Sequence, residues 1–334
     1  MQDDSAQASI VIATWNSAAH LSRCLESLRI QTYKNFEIII VDNGSSDGSV
    51  DKIKDNHPEL NICIKKLGSN TGFATANNIG ARFSRGKWIA LLNADAFPEP
   101  GWLENLLKAT EQHPHAFFAS RQIQANAPNL LDGEGDAYHI SGLAWRRNYG
   151  LPLQKKDEIE EIFSPCAAAA LYPRQAFLDV GGFDEDYFAY HEDVDLGFRL
   201  RLQGLRSYYV PQAIVYHVGS ASTSKKSDFS VYYGHRNLEW TYYKNMPSTL
   251  FWLFFPVHLL MNFFFIAYLT SGGRGKVIWR AKIDALKGFK KMQRKRKEIQ
   301  ASRIVSTKEI YQALERGFFT PLRVSLQRGR SKSD

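Results

Sequence analysis

Four groups of polar side chains stand where apolar runs stop, and their types limit the chemistry possible there. The loop Asp42-Asn-Gly-Ser-Ser-Asp-Gly-Ser49 combines small residues, amides and carboxylates. Acidic groups at a strand end suit hydrogen bonds to a nucleoside's imide N–H or to ribose hydroxyls. A solvated turn with Asp47 capping the next helix uses the same residues. Asn93-Ala-Asp95 closes a second run. A carboxylate there can hold a divalent ion that neutralises a diphosphate leaving group, although polar strand ends are common to all α/β proteins. His217, in Val-Tyr-His-Val-Gly, follows a third run; a lone histidine is more often a satisfied core residue than a ligand. The densest acidic group is Tyr190-His-Glu-Asp-Val-Asp-Leu196. Glu192, Asp193 and Asp195 open a helix periodic in Leu196, Leu200 and Leu202, where the helix dipole alone favours acids. A carboxylate at that place can also act as general base toward a hydroxyl nucleophile.

These groups need elements that bring them together. Ser9–Ala13, Phe36–Val41, Ile62–Leu67 and Trp88–Leu92 read as strands. Helical spacing follows each: Leu21, Cys24, Leu25 and Leu28 with Asn16 or Ser17 as N-cap, then a stretch to Asn56, then Thr75–Ser84, then Trp102–Gln112. Strands alternating with helices predict a parallel sheet covered on both faces, with ligands at the carboxyl ends of the strands. Thr14–Asn16, Asp42–Ser49 and Asn93–Asp95 all lie at such ends. The first strand ends in Thr-Trp-Asn instead of opening a GxGxxG turn, which argues against a dehydrogenase. Residues 120–165 carry no assignable pattern. A helix running to about Gln203 and short strands at Tyr208–Val210 and Ala213–His217 come later.

The chain has 334 residues, 44% apolar and 23% charged, enough for a sizeable core. Its three cysteines, Cys24, Cys63 and Cys166, are too scattered for a zinc site or a disulfide framework and suit a reducing cytosol. The acidic start Met-Gln-Asp-Asp is unlike a signal peptide, so no export is expected. The net charge of +8 divides unevenly: residues 271–334 hold 18 Lys/Arg against 5 Asp/Glu, leaving the body acidic. A basic tail on an acidic body points to an anionic surface as partner.

Taken in order, Thr14-Trp-Asn16, Val41–Ser49, Asn70-Thr-Gly-Phe73, Asn77-Asn-Ile-Gly80, Leu92-Asn-Ala-Asp95, Gly181-Gly-Phe-Asp184 and Glu192–Leu196 closely resemble family 2 glycosyltransferases of the GT-A fold, and most of all their rhamnosyltransferase-like branch. The resemblance runs from about residue 8 to 245. It implies that Thr14, Asn16, Asp42 and Asn43 cradle the pyrimidine and ribose of a dTDP- or UDP-linked sugar. Asn70, Gly72, Phe73 and Asn77 would line the donor pocket together with Asn93. Asp95 matches the second Asp of the family's DxD and would bind Mg2+ or Mn2+, while Asn93 replaces the first. His217 falls where a further metal ligand often stands. Asp193 matches the catalytic base, with Glu192 beside it, and Asp195 would orient the helix. Arg236 and Asn237 would face an acceptor phosphate. The implied reaction is an inverting transfer of L-rhamnose or another sugar to a lipid-linked saccharide, as in bacterial surface-polysaccharide synthesis. The alternatives are a UDP-hexose or galactose-type transferase, or a silent nucleotide-sugar-binding protein at the membrane.

A catalytic domain over 8–245 leaves 246–334 as a C-terminal region. Its 21-residue apolar stretch, 249–269, is about long enough to span a bilayer, but Pro256, His258 and Asn262 interrupt it. An in-plane segment is expected; a helix hidden in a dimer interface is the soluble alternative. Beyond it, Lys290, Lys291, Arg294, Lys295, Arg296 and Lys297 suit anionic lipid on the cytoplasmic face. No recognition motif supports nucleic acid, since the aromatics sit in the apolar stretch and not among the lysines.

Overall fold

The computed structural model describes residues 6–51, 53–219 and 227–324; the acidic start and the last basic residues, Arg328, Arg330 and Lys332 among them, lie outside the described residues. The first half contains β1 (Ala8–Thr14), α1 (Leu21–Arg29), β2 (Phe36–Asp42), α2 (Ile53–Asn56), β3 (Ile62–Lys66), α3 (Phe73–Phe83), β4 (Trp88–Leu92), β5 (Ala96–Pro98) and α4 (Trp102–Gln112). Next come β6 (Ala116–Gln124), β7 (Ala127–Gly133), β8 (Asp136–Tyr138), β9 (Ala144–Arg146), β10 (Glu160–Ile162), β11 (Ala169–Pro173), α5 (Arg174–Asp179), α6 (Glu192–Leu202) and β12 (Arg206–His217). The C-terminal helices are α7 (Asp228–Asn245), α8 (Ser248–Leu269), α9 (Gly275–Lys287), α10 (Phe289–Ser302) and α11 (Thr307–Ala313).

β1 to β4 pair in parallel because apolar runs buried on both faces alternate with helices that cover them. β11 enters antiparallel between β4 and β6, and β12 joins parallel to β6. The order is β10-β12-β6-β11-β4-β1-β2-β3. Most strands point one way, so the sheet is the mixed, mostly parallel kind that the pattern predicts. Alternation along β1 and β2 sends Ile10, Ile38 and Ile40 toward α1 and α4, and Val11, Ile39 and Val41 toward α3 and α6. Gly80 lets α3 approach the sheet, since a Cβ there would lie 2.3 Å from Val11 Cγ1. β1 sits between β2 and β4, which places a crevice at the carboxyl ends of these strands.

Three local expectations change. The residue preceding α1 is His20, not Asn16 or Ser17; the Asn16 side chain accepts from Ser46 N–H instead. The two short strands near residue 210 are one, β12, with a register shift between Val210 and Ile214. The unassigned stretch 120–165 holds β6, β7, the β8–β9 hairpin and β10, whose short runs and four glycines hide any period.

The C-terminal helices pack on the body without a gap at residue 245. Met246, Leu250 and Phe251 join Tyr138, Phe163, Phe198, Tyr242 and Ile310 in one cluster. A turn at Gly272 and Gly273 (φ +79°) sends α9 back along α7. The basic amphipathic stretch is two helices divided near Gly288, where a Cβ would fall 2.6 Å from the Trp240 ring. Two of the six clustered cations, Lys295 and Arg296, are half-buried, and the exposed Lys291 is tied to the body by an ion pair. Lys295 pairs with Asp184 and Asp186, Lys291 with Asp186, and Arg296 donates to the Tyr243 and Met246 carbonyls. Helical periodicity requires this: α10 must turn one side toward α7, and that side carries cations which the acidic body neutralises.

Candidate active site

A cleft of about 810 Å³ opens over the ends of β1, β4 and β12 and the start of α6. One wall is knitted from three loops. Asn16 N–H donates to Ser45 Oγ (3.0 Å), Ser46 N–H to Asn16 Oδ1 (2.9 Å), and Ala18 N–H to Asp47 (2.9 Å). Asn43 donates to Asn70 Oδ1 (3.0 Å) and accepts from Thr71 N–H (2.8 Å), which fastens the third loop to β2. Gly72, at φ +89°, passes beneath Phe188; any Cβ there would lie 2.7 Å from that ring. Thr14, Asn16, Asn43, Asn70, Gly72, Phe73 and Asn93 all line the cleft.

Asp42 and Asn77, also expected there, do not line it. The Asp42 carboxylate accepts from Ser45 N–H and is buried; Asn77 donates back to the Phe73 carbonyl within α3. Both shape the wall from behind.

The strand ends bring Asp95 and His217 together, with Asp95 Oδ1 3.4 Å from His217 Nε2 and Asn93 Nδ2 3.4 Å from the same nitrogen. On its far side His217 Nδ1 donates to Asp132 (2.8 Å), which also accepts from Arg146 (2.6 Å). Burial would raise the Asp95 carboxyl, but the adjoining His217 ring holds it below the ordinary range. Burial would lower His217, yet Asp132 and Asp95 together raise it. A histidine oriented by a carboxylate behind it is the usual arrangement of a metal ligand. Among the described residues no three His, Cys, Asp or Glu side chains form a cation cage. The pair therefore fits a cation such as Mg2+ or Mn2+ that takes its remaining ligands from phosphate and water.

Across the cleft α6 begins at Glu192 and Asp193. Asp193 accepts from Ala167 N–H (3.3 Å) and Val194 N–H (2.8 Å). Burial raises its carboxyl, although these N–H groups and Arg146 oppose the shift. Glu192 is raised further, by burial and by Asp193, and its Oε2 has no hydrogen-bond partner. Asp195 points away from the cleft. It accepts from Lys244 (2.8 Å), Asn245 (2.7 Å), Arg199 (2.9 Å) and Tyr187 (3.2 Å), and these cations hold it below the ordinary range despite burial. Phe188, Tyr190 and His191, just before the helix, all adopt positive φ, a conformation that non-glycine residues keep only when their surroundings enforce it. Asn237 supplies that enforcement, donating to the carbonyls of Tyr187, Ala189 and Tyr190; Arg236 donates to those of Asp186 and Tyr187. This corrects the expectation that Arg236 and Asn237 face an acceptor phosphate: Asn237 is wholly buried, and both brace the loop.

Asp132 and Arg146 escaped the sequence reading. The signal available was Asp132-Gly-Glu-Gly-Asp136, acids alternating with glycines, inside the stretch without assignable period. The rim aromatics Trp145, Tyr149 and Phe229 were likewise unplaced.

Asp95 and His217 thus face the buried acids Glu192 and Asp193 across the crevice at the strand ends. The chain matches the pattern of glycosyl transferase family 2 over residues 9–181 and belongs to that family. An N-acetylglucosaminyl-diphospho-decaprenol L-rhamnosyltransferase of Mycobacterium tuberculosis is 31% identical over 245 residues, 65% of this chain and 77% of that one. A glucosyl-dolichyl phosphate glucuronosyltransferase of Haloferax volcanii is 26% identical over 53% of this chain and 55% of its own length. Among solved structures, a Pyrobaculum calidifontis mannosyltransferase in complex with GDP-Man and Mn2+ superposes with a TM-score of 0.55, at 15% identity over 97% of this chain and 84% of that one. GalNAc-T7 with UDP, GalNAc and Mn2+ gives 0.60 at 16% identity over 74% of this chain, which spans about half (49%) of it.

Proposed function

We propose that the chain is an inverting, cation-dependent glycosyltransferase that moves a sugar from a nucleoside diphosphate to a hydroxyl of a lipid-linked saccharide at the membrane. The observation that carries this reading is the single cleft with the Asp95–His217 pair on one wall and Glu192–Asp193 on the other. Asp193 takes the acceptor hydroxyl proton as that oxygen attacks the anomeric carbon from the face opposite the diphosphate. The bond from the anomeric carbon to the diphosphate oxygen breaks, and the centre inverts. Asp95 and His217 would hold Mg2+ or Mn2+, which when bound neutralises charge on the leaving diphosphate. The donor class follows the rhamnosyltransferase relative, hence dTDP-L-rhamnose before UDP-hexoses.

The lipid acceptor is supported by the same relative and by α8. Trp252, Leu253, Leu260, Phe263, Phe264 and Tyr268 are exposed. The opposite side of α8 is bound to the body by His258, which contacts the Ser141 carbonyl (2.8 Å) and Glu239 (2.9 Å), with Asn262 beside it. A spanning helix would carry these partners into hydrocarbon; lying in the plane leaves them in place. Lys276, Arg280, Lys287, Lys290, Arg294 and Lys297 remain outward-facing for anionic lipid, which supports attachment at the cytoplasmic leaflet.

The test is incubation with dTDP-L-rhamnose or UDP-hexoses, Mn2+ and an N-acetylglucosaminyl-diphospho-prenol. Mass spectrometry reads the product and NMR its anomeric configuration. Transfer with inversion is expected; retention, or transfer indifferent to EDTA, would contradict the reading.

A further inference from the structure

Arg146 stands between the two walls of the cleft. It ends β9, and the hairpin register sets it opposite Asp136. Its guanidinium donates to Asp132 (2.6 Å) and to Cys166 Sγ (2.7 Å). The Asp132 oxygen that it contacts is the one that accepts from His217 Nδ1. Gly133 leaves room for the side chain, because a Cβ there would lie 2.3 Å from Arg146 Cγ and Cδ. Cys166 in turn precedes Ala167, whose N–H donates to Asp193 (3.3 Å), so the guanidinium also stands beside the acid wall.

We propose that Arg146 is a positioning residue that joins the halves of the site, fixing Asp132 against His217 on one side and holding a positive charge within reach of Asp193 on the other. The inference rests on the glycosyltransferase reading for its Asp193 arm and on geometry alone for its His217 arm. Without the guanidinium, Asp132 loses a partner that fixes its orientation, and the His217 ring loses a fixed tautomer with Nε2 toward Asp95. Asp193 would then be surrounded by Glu192 of its own helix, Asp136 of β8, Cys166, and Tyr172 of β11, all anionic or neutral. Its ionised form would lose the positive charge that opposes the effect of burial.

The experiment compares full-length Arg146→Met, Arg146→Lys and Asp132→Asn with the parent. It reads melting temperature, Mn2+ binding from loss of the free-ion EPR signal, and the pH dependence of kcat/KM. Arg146→Met is expected to weaken Mn2+ binding roughly 10- to 100-fold and to move the acid limb upward by about one pH unit or more. Asp132→Asn should weaken Mn2+ binding without that upward movement. Arg146→Lys keeps the charge but not the fork, so it should preserve the acid limb and lose part of the Mn2+ affinity. Parent-like Mn2+ affinity and acid limb in a folded Arg146→Met would overturn the proposal. Equal limb shifts in the Lys and Met variants would overturn its charge arm. If Arg146→Met does not fold, Asp132→Asn decides the His217 arm. Arg146→Gln, which is neutral but still donates a hydrogen bond, then decides the charge arm by the same upward limb movement or its absence. A parent that transfers no sugar would sink the glycosyltransferase reading, while the Mn2+ titration would still decide the His217 arm.

Discussion

The role proposed for Asp193, that of a base, depends on where it is buried, and the consequence appears in its titration. Burial lifts its carboxyl above the ordinary aspartate range, so the acid limb of kcat/KM is expected above pH 3.8, with activity falling as pH drops through the raised value. A limb at or below the ordinary value would remove Asp193 from that role. Asp193→Asn should lower kcat by about 100-fold or more while nucleotide-sugar affinity, read by calorimetry, changes little. Glu192 carries a stability cost. Its folded pKa lies well above its unfolded one, so its contribution is fully present below the unfolded pKa and is lost as pH rises toward the folded value. Glu192→Gln should therefore raise Tm at pH 8 and flatten that part of the stability profile; an unchanged Tm would show that the carboxyl is solvated. Each of these side chains was legible as a motif. Asp132 and Arg146 were not, because their meaning depends on a hairpin that no periodicity announces.

The elements explain why the acid pair stays in place. α6 is clamped by Asp195, Arg199, Lys244 and Asp184, all buried, behind the cleft. Lys244→Met leaves two buried carboxylates without their shared cation, which should cost about 3–5 kcal/mol in urea unfolding. A loss under 1 kcal/mol would mean that water reaches the network. The β1–β4 half, α4 and the start of α6 were readable from apolar period and turn residues, since each element there follows a local rule. The later strands were not. β11 enters between β4 and β6 antiparallel to both, and only tertiary pairing dictates that. Likewise Arg236 and Asn237 were expected to face an acceptor phosphate, while in the structure they brace a loop with three positive-φ residues.

For the whole molecule, the proposed membrane attachment rests on one exposed apolar side on α8 and on Trp279, Ile283 and Leu286 on α9, flanked by outward cations. Composition alone assigned all six clustered cations to lipid, but packing draws Lys295 and Arg296 toward the body and ties the exposed Lys291 to Asp186. Binding to anionic vesicles should fall with rising salt and drop sharply in Trp252→Glu/Phe264→Glu, with the fold intact by circular dichroism. Undiminished binding would place the contact elsewhere. The central claim is that the cleft takes a nucleotide-sugar through Asp95 and His217. Calorimetry of the full chain against dTDP- and UDP-linked sugars, with Mn2+ or EDTA, tests it most directly. The account predicts one clear binder in Mn2+, at least tenfold weaker in EDTA and in Asp95→Asn. A folded protein that binds none of them, or binds equally well in EDTA, would contradict it.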